Sequence, residues 1–276
     1  MNYRHAFHAG NFADCMKHAL LVWLQAAMAQ KPAGVFHLDT HAGIGRYDLD
    51  GDEAARTGEW HAGIARLTQP PQALADYVGL VQALGLYPGS PALVRARLRP
   101  QDRLACCELH PQDAATLRRH VGGDARVSVH RRDGWEALGG LLPPGGLTPI
   151  LMRGLVLIDP PYELADEWGR VVAGLRLGHA RFARAVFAAW YPIKHRAPPR
   201  AVHQALREAG LRDIVAVELW LRAPLDAARL NGCGVVVVNP PFGFEAAAAA
   251  ILEALLSRLG GGEAGQGFSV ERLVDE

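Results

Sequence analysis

The chain has 276 residues, of which 50% are apolar and 21% are charged, and its formal net charge is +1. This length and composition predict a globular protein with a sizeable core, either one large α/β domain or one domain with an insertion. A net charge so near zero argues against a protein that coats nucleic acid through bulk charge, so any contact with RNA or DNA must come from local patches.

The cysteines and the first residues indicate the compartment. Cys15, Cys106, Cys107 and Cys233 have no C-x-x-C spacing, and we expect them to be small core residues in a reducing cytosol. The first 18 residues are polar and rich in histidine, unlike a signal peptide, and no apolar run reaches transmembrane length. These features predict a cytoplasmic protein with no membrane partner.

Residues 1–18 are dense in aromatic rings, histidines and cations before any periodic element begins. Loops of that composition are typical of functional segments. Apolar residues at helical spacing then predict an amphipathic helix over residues 13–29. Lys17 and His18 fall in its first turns, where the residues alone favour a solvated helix surface.

The first predicted strand, around residues 35–38, ends at Asp39 and breaks into a turn that contains Gly43 and Gly45. Glycines let the backbone approach a ligand closely. A full G-x-G-x-x-G is absent, which disfavours a dinucleotide phosphate site. The pattern D-x-x-x-G-x-G after a strand is instead the first motif of S-adenosylmethionine-dependent methyltransferases, although alone it is weak.

Residues 46–100 interrupt the alternation of strand and helix. They are rich in helix formers, with turns at 70–71 and 88–91. We expect a helical insertion subdomain there, within a main domain made of residues 1–45 and 101–276. Insertions at a ligand-binding edge often add substrate specificity.

Acids close the next two predicted strands. Glu108 follows the second strand, at the position where a carboxylate commonly accepts from ribose hydroxyls. Asp133 follows the third strand and precedes Gly134, where its side chain is suited to accept from an adenine amino group beside Trp135. Asp133 is equally suited to cap the helix that follows, and both assignments can hold at once.

The fourth strand, residues 155–158, ends in Asp159-Pro160-Pro161-Tyr162. An exocyclic amino group on a base is a poor nucleophile until acceptors pull on its protons. Asp159 and the carbonyl of Pro160 are placed to accept those two hydrogen bonds, while Tyr162 is placed to stack on a flipped base. The competing interpretation is a strand that ends in a turn with a capping acid.

Three later strands bring the predicted total to seven, with the last antiparallel and the order 3-2-1-4-5-7-6. The segment Asn239-Pro240-Pro241-Phe242 is also typical of amino-methyltransferases. It follows the seventh strand, whose carboxyl end should point away from the ligand edge. We therefore assign the chemistry to Asp159 and a structural turn to Asn239.

Several motifs in this order resemble the RlmJ family of 23S ribosomal RNA adenine-N6 methyltransferases, over nearly the whole chain. They are YRHAFHAGNFADCMKH at 3–18, DTHAGIGRYDL at 39–49, ARTGEW at 55–60, YPGSP at 87–91, ELHP at 108–111, DG at 133–134, LIDPPYE at 157–163, AWYP at 189–192 and VVNPPF at 237–242.

The resemblance implies a Rossmann-like class I methyltransferase fold that uses S-adenosyl-L-methionine, with 23S rRNA as the partner, free or in early assembly particles. The implied catalytic residues are Asp159, Pro160 and Tyr162. The implied cofactor contacts are His18, His41, Ser90, Glu108, Asp133, Gly134 and Asp159. The implied RNA contacts are Tyr3, His5 and Lys17, in an N-terminal motif that closes over the site. No metal is implied, and we expect a monomer.

Other functions use the same chemistry. A DNA adenine or protein-glutamine methyltransferase would carry the same Asp-Pro-Pro-aromatic motif, but the chain lacks a separate basic DNA-reading domain. An RNA-binding relative without activity is disfavoured by the intact Asp39, Gly43, Gly45, Glu108 and Asp159. A nicotinamide dehydrogenase would need the missing phosphate turn.

Overall fold

A computed structural model describes residues 5–145, 153–164 and 166–276. In chain order the strands are β1 (Val35–Asp39), β2 (Arg46–Tyr47), β3 (Tyr87–Pro88), β4 (Arg103–Cys107), β5 (Val127–His130), β6 (Arg153–Ile158), β7 (Val186–Ile193), β8 (Ile214–Trp220), β9 (Gly232–Val238) and β10 (Gly267–Val274). The α-helices are α1 (Phe12–Ala29), α2 (Asp52–Thr57), α3 (Ala75–Leu84), α4 (Ser90–Ala96), α5 (Pro111–Val121), α6 (Gly134–Gly140), α7 (Glu167–Arg181), α8 (Ala197–Arg207) and α9 (Phe244–Leu259).

The central sheet has eight strands in the order β5-β4-β1-β6-β7-β9-β8-β10. Strands β1, β4, β5, β6 and β7 pair in parallel, whereas β9 runs antiparallel to both of its neighbours. The predicted α/β class and the order 3-2-1-4-5-7-6 are therefore confirmed for the first seven strands of this sheet.

The predicted count of seven strands is wrong: the central sheet has an eighth, the edge strand β10, and β2 and β3 form a separate two-stranded ribbon. Strand β10 pairs antiparallel with β8, and its register shifts between Arg272 and Val274. Phe268 and Val270 pack on one face of the sheet, whereas Leu273 and Val274 pack on the other. This irregularity breaks the alternation by which a strand is recognised in a sequence.

The core lies on both faces of the sheet. In β6, Leu155 and Leu157 pack towards α1 and α9, whereas Val156 and Ile158 pack towards α6 and α7. This division follows from the period of two along a strand. Because both faces are covered by helices, the parallel strands are apolar runs, as is usual for such sheets.

Helix α1 is a core element. Asn11 caps it by accepting a hydrogen bond from the Asp14 N–H at 3.0 Å. The helix packs against α9, α3, α4 and β6. Lys17 and His18 are only 5% and 1% exposed, so the solvated surface that the residues alone favour is wrong at this position. Lys17 is enclosed between Asp14 and Asp159, and His18 is enclosed by Tyr77 and Tyr87 of the residue 46–100 segment.

Residues 46–100 form α2, α3, α4 and several 3-10 turns, and β2 and β3 pair as a two-stranded ribbon at the ends of the segment. Helix α4 packs on α1, α5, β1 and β4, next to the main sheet. The division into a main domain and an insertion subdomain stays a prediction.

Cys15, Cys106, Cys107 and Cys233 are all buried and unbridged, as expected. Across the described ranges, no helix combines the length and apolar character needed to cross a bilayer. Within the same ranges, no group of three or more His, Cys, Asp or Glu side chains is arranged to hold a metal ion.

Candidate active site

A cavity of about 990 Å³ lies at the carboxyl edge of the parallel strands. Every described residue predicted for the site lines it: His5, Lys17, His18, His41, Ser90, Glu108, Asp133, Gly134, Asp159, Pro160 and Tyr162. Tyr3 lies outside the described residues. The parallel strands explain the convergence, because their carboxyl ends meet at one edge of the sheet.

The turn after β1 forms the floor of this cavity. Gly43 and Gly45 have φ angles of 59° and 81°, in the left-handed region that favours glycine. Gly134, at the start of α6, approaches the turn so closely that a Cβ would collide with the Thr40 carbonyl oxygen. Glycine at position 134 is therefore required for this packing.

Glu108 is fixed in the cavity by two backbone donors. Its carboxylate accepts hydrogen bonds from the Gly43 N–H at 3.0 Å and from the His110 N–H at 2.8 Å. Burial raises the pKa of Glu108, and these two N–H groups oppose that shift. A second lone pair on each oxygen remains for a ligand, as a vicinal diol requires.

Asp133 caps α6, as the sequence allows, and the structure leaves its second carboxylate oxygen without a hydrogen bond among the described residues. One carboxylate oxygen caps α6 by accepting from the N–H groups of Trp135 and Glu136, at 2.7 and 3.2 Å. The other lies 3.7 Å from a guanidinium nitrogen of Arg170, beyond hydrogen-bonding distance. That oxygen is therefore available to an amino group in the cavity.

His41 forms an aromatic corner beside Asp133. Its ring meets the Trp135 ring edge-on, with centroids 5.4 Å apart. Burial lowers the pKa of His41 to about 4, so the ring is neutral near pH 7. A neutral imidazole leaves this corner of the cavity without an added positive charge.

Ser90 lies at the start of α4 and donates a hydrogen bond of 2.7 Å to Asp39. Asp39 is 2% exposed, and burial raises its pKa to about 7 although the Ser90 hydrogen bond opposes the shift. The contact joins the residue 46–100 segment to the end of β1, which brings the predicted cofactor residue Ser90 to the floor of the cavity.

Asp159 is joined to the N-terminal part of the chain by Lys17. The Lys17 ammonium lies 2.6 Å from Asp159 Oδ2 and 2.9 Å from Asp14 Oδ1. Burial by itself would lower the pKa of Lys17, but the two carboxylates raise it well above its usual range. Lys17 is therefore a buried cation that bridges two acids.

Asp14 also holds the N-terminal turn. Its second oxygen accepts hydrogen bonds from the Gly10 N–H at 3.0 Å and contacts His5 Nε2 at 2.9 Å. Burial by itself would raise the pKa of Asp14, but the charges of His5 and Lys17 hold it well below its usual range. One ionised aspartate thereby connects His5, at the entrance, to the Lys17–Asp159 pair.

His18 points into a buried hydroxyl chain. Its Nδ1 lies 3.0 Å from the Tyr87 hydroxyl, which lies 3.1 Å from the Tyr77 hydroxyl. Burial lowers the pKa of His18 to about 3, so this ring is also neutral. This series of hydrogen-bonded side chains connects α1 to α3 and β3 beneath the cavity.

Tyr162 contributes an aromatic wall. Its φ of 53° is unusual for a residue with a side chain, and its hydroxyl donates a 3.0 Å hydrogen bond to the Trp190 carbonyl. Its ring centroid lies 4.7 Å from that of Trp168 and 5.9 Å from that of Trp190. The strained turn and the three packed rings fix Tyr162 beside Asp159.

The second Pro-Pro segment lies elsewhere. Asn239 ends β9, the antiparallel strand, and its amide donates hydrogen bonds to the carbonyls of Ala183 and Ala185 at 2.9 and 2.8 Å. These carbonyls precede β7, at the amino edge of the parallel strands. Asn239 is therefore part of a structural turn and does not line the cavity.

Several cavity residues are absent from the sequence prediction. They are Asp14 on α1, and Trp168, Trp190, Lys194 and His195 beyond Tyr162. The spacing of Asp14 from Lys17 and His18, three and four residues, was a signal that one helix face carries all three. The other four residues come from α7 and from the end of β7, and no local pattern indicates that these regions meet.

The order of the sheet, the glycine turn after β1 and the acids at the ends of β4 and β6 define a Rossmann-like protein of the class I S-adenosylmethionine-dependent methyltransferase fold. A family model described as "Ribosomal RNA large subunit methyltransferase D, RlmJ" matches residues 32–273. The chain belongs to the RlmJ family.

Individual relatives agree with the family match. Two proteins named "Ribosomal RNA large subunit methyltransferase J", from Haemophilus influenzae and Escherichia coli, are each 39% identical to this chain, over 94% of this chain and 94% of their own length. A crystal structure of a Legionella pneumophila protein is 32% identical, covers 96% of this chain and 98% of its own, and superposes with a TM-score of 0.86.

Proposed function

We propose that this protein transfers a methyl group from S-adenosyl-L-methionine to the N6 amino group of one adenine in 23S rRNA, in the cytoplasm, during ribosome biogenesis. The observation that carries the proposal is the position of Asp159, which ends the central strand β6 inside the cavity with Pro160 and Tyr162 beside it. The names of the relatives support ribosomal RNA as the substrate.

The residues present fit the cofactor. Glu108 is suited to the ribose hydroxyls because backbone donors already orient both of its oxygens. Asp133 is suited to the adenine amino group because the helix cap uses only one of its two carboxylate oxygens. Gly43 and Gly134 line the cavity, and the left-handed φ angles of Gly43 and Gly45 shape the turn at its floor. When bound, the cofactor supplies an electrophilic methyl group.

Asp159 and the Pro160 carbonyl orient the target amine. Each of them accepts a hydrogen bond from one N–H group of the amine. These two hydrogen bonds shift the nitrogen lone pair out of conjugation with the ring and towards the methyl donor. Tyr162, held by the Trp190 carbonyl, covers one face of the base after it has been flipped out of its RNA context. Positioning of this kind supplies a large share of the rate enhancement.

The ion pair with Lys17 determines which oxygen of Asp159 is available to the target amine. The Lys17 ammonium occupies Asp159 Oδ2 at 2.6 Å. Among the described residues no hydrogen bond occupies Asp159 Oδ1, so this oxygen can accept from the amine while Oδ2 stays with Lys17. Asp159 therefore acts as an acceptor that orients, and the proton leaves to solvent after methyl transfer has made the nitrogen acidic.

The test is methyl transfer from labelled S-adenosylmethionine to unmodified, protein-free 23S rRNA, followed by nucleoside analysis. We expect labelled N6-methyladenosine from the wild type. Asp159→Ala should lower the rate by at least about 100-fold while cofactor affinity remains measurable. Asp166→Asn, at an exposed position shortly after Tyr162, is the matched control and should behave as the wild type.

The outcomes separate the alternatives. If the protein binds the cofactor but no label enters protein-free rRNA, assembling ribosomal particles are the next substrate to assay. Label in DNA or in protein glutamine, and none in either form of rRNA, would overturn the proposal. Full activity of Asp159→Ala would overturn the assignment of Asp159.

A further inference from the structure

The cavity has two sides of different charge. Glu108, Asp113 and Asp133 line the side formed by β4, α5 and β5. Asp159 ends β6, and on its other side β7 leads into the rim segment, which we define as residues 194–198. Since neighbouring strands lie about 4.8 Å apart, β7 runs about 10 Å to the side of β1. It also continues to Ile193, past Ala188, which lies level with Asp39 at the end of β1. The rim segment is therefore separated from the acids assigned to the cofactor.

Lys194 is the rim cation that lines the cavity, whereas Arg196, the other cation of the rim, lies 4.6 Å over the Trp220 ring. The chain has three lysines, at positions 17, 31 and 194, and two of them line the cavity. Lys17 is neutralised by two carboxylates, whereas exposed Lys194 has no carboxylate within 4.0 Å in the part of the chain that the structure describes. The nearby Arg222 and Arg229 both pair with Glu263, at 2.9 and 3.5 Å. Lys194 thus offers a charge that no internal contact uses.

The backbone of the rim is held in place from below. Asn231 is fully buried, and its amide donates hydrogen bonds to the carbonyls of Lys194 and Asp226, both at 2.7 Å. Its own N–H donates to the Ile193 carbonyl at 3.0 Å. Pro198 and Pro199 follow directly at the start of α8. The rim segment is consequently preorganised, so a ligand binding there pays little ordering entropy.

Two more groups complete the entrance. His195 Nδ1 accepts a hydrogen bond from the Ala197 N–H at 3.2 Å, which leaves Nε2 as the donor of this ring. The hydrogen bond to Glu59 raises the pKa of His8 and the charge of Lys194 opposes the shift, so Lys194 lies within electrostatic range of the N-terminal turn. Donors therefore line the cavity on the side away from Glu108, Asp113 and Asp133.

We propose that the rim segment binds the phosphodiester backbone of the RNA next to the flipped adenine, with Lys194 as its phosphate contact and His195 as a neighbouring donor. The inference rests on the proposed function and names where the substrate strand lies. A phosphate is the occupant that the charge favours, because a cationic sulfonium cofactor is better placed among the acids of the opposite side. The backbone carries no base identity, so this contact sets affinity and register.

The experiment compares wild type with Lys194→Gln, Lys194→Arg and Lys31→Gln. Lys31 is exposed and precedes β1, at the opposite edge of the sheet, so Lys31→Gln removes the same charge away from the cavity. The measurements are affinity for protein-free 23S rRNA over a series of salt concentrations, cofactor affinity, and kcat and KM for methyl transfer.

We expect Lys194→Gln to weaken RNA binding by about 3- to 10-fold at moderate salt and to reduce the slope of log affinity against log salt by about one. KM for RNA should rise in proportion, while kcat and cofactor affinity stay within twofold. Lys194→Arg should restore the slope, and Lys31→Gln should match the wild type. An unchanged slope in Lys194→Gln, or a loss of cofactor affinity instead of RNA affinity, would overturn the inference while methylation by the wild type still stands. Absence of both RNA binding and methylation in the wild type would overturn the proposed function and this inference with it.

Discussion

Backbone donors make Glu108 sensitive even to an isosteric change. Both of its oxygens accept from N–H groups, at Gly43 and at His110, so the amide nitrogen of a glutamine must face a donor on one side. Hydrogen bonds to a charged group contribute about 1.5–3 kcal/mol each. The side chain of Glu108 therefore shapes the glycine turn as well as the cavity.

Glu108→Gln is expected to weaken S-adenosylmethionine binding by about tenfold or more, because it removes a charge and disturbs the turn after β1. Isothermal titration calorimetry measures the change. Glu253→Gln, at an exposed position of α9, is the control and should leave the affinity unchanged. Equal affinities for the two variants would contradict the assignment of Glu108 to the cofactor.

Burial also sets the charge of His37 in β1, outside the cavity. The residue is 3% exposed, and burial lowers its pKa to about 4 from 6.5. Between these pH values the unfolded chain binds a proton that the folded chain does not. The folded state therefore keeps its full stability above pH 6.5 and loses stability as the pH falls towards about 4.

His37→Gln should consequently reduce the acid sensitivity of the fold. We expect the dependence of the free energy of unfolding on pH to become shallower by about 1.4 kcal/mol per pH unit over this window. Urea titrations between pH 4 and pH 7 measure it. The matched change at the exposed His61, His61→Gln, should leave the slope as in the wild type. If the profile of His37→Gln runs parallel to that of the wild type, protonation of His37 is not linked to folding.

Among the elements, the residue 46–100 segment secures the N-terminal turn over the cavity. The Glu59 carboxylate lies 3.0 Å from His8 Nδ1 and accepts a 2.9 Å hydrogen bond from Asn11. The Ile64 N–H donates to the Gly10 carbonyl at 2.9 Å. The segment therefore acts at the entrance without supplying the strand-end acids of the site.

Glu59→Gln should loosen this turn and leave the sheet intact, because both partners of the His8–Glu59 pair are more than a third exposed and contribute little to global stability. We expect faster amide hydrogen exchange over residues 8–11 and a several-fold lower kcat, with unchanged cofactor affinity. Hydrogen exchange read by mass spectrometry reports the loosening. Asp50→Asn, in an exposed turn of the same segment, is the control, and unaltered exchange in Glu59→Gln would refute the anchoring role.

At the scale of the whole molecule, β10 covers the edge of β8. Arg272 ties it down through ion pairs of 2.6 Å to Asp213 and 3.0 Å to Glu245. An uncovered strand edge presents unpaired N–H and C=O groups, on which other chains can pair. The strand therefore helps to keep the protein in the monomeric state that we expect for it.

Removal of residues 266–276 should expose β8 and cause self-association, whereas Arg272→Gln, which keeps the strand, should cause only a small loss of stability. Size-exclusion chromatography with light scattering distinguishes the two. If the truncated chain stays monomeric and has the same melting temperature as the intact protein, the strand has no protective function.

The sequence determined which strand ends would meet. Apolar runs closed by Asp39, Glu108, Asp133 and Asp159 are local signals, and parallel strands bring their carboxyl ends to one edge by geometry alone. The same reasoning separated Asp159 from Asn239, because the last strand of the predicted order reverses direction. The family resemblance added His18 and Ser90, which no spacing indicates.

Only the tertiary structure decided which charges meet and which are neutral. Lys17 and Asp159 are 142 residues apart, and their pairing depends on the packing of α1 beneath β6. The neutral state of His41 and the raised pKa of Asp39 follow from burial, which is a property of the assembled molecule. The exposed charge of Lys194 is likewise visible only in the folded molecule, where Arg222 and Arg229 pair with Glu263 and Arg196 lies over the Trp220 ring, because local sequence patterns carry no information about contacts between distant segments.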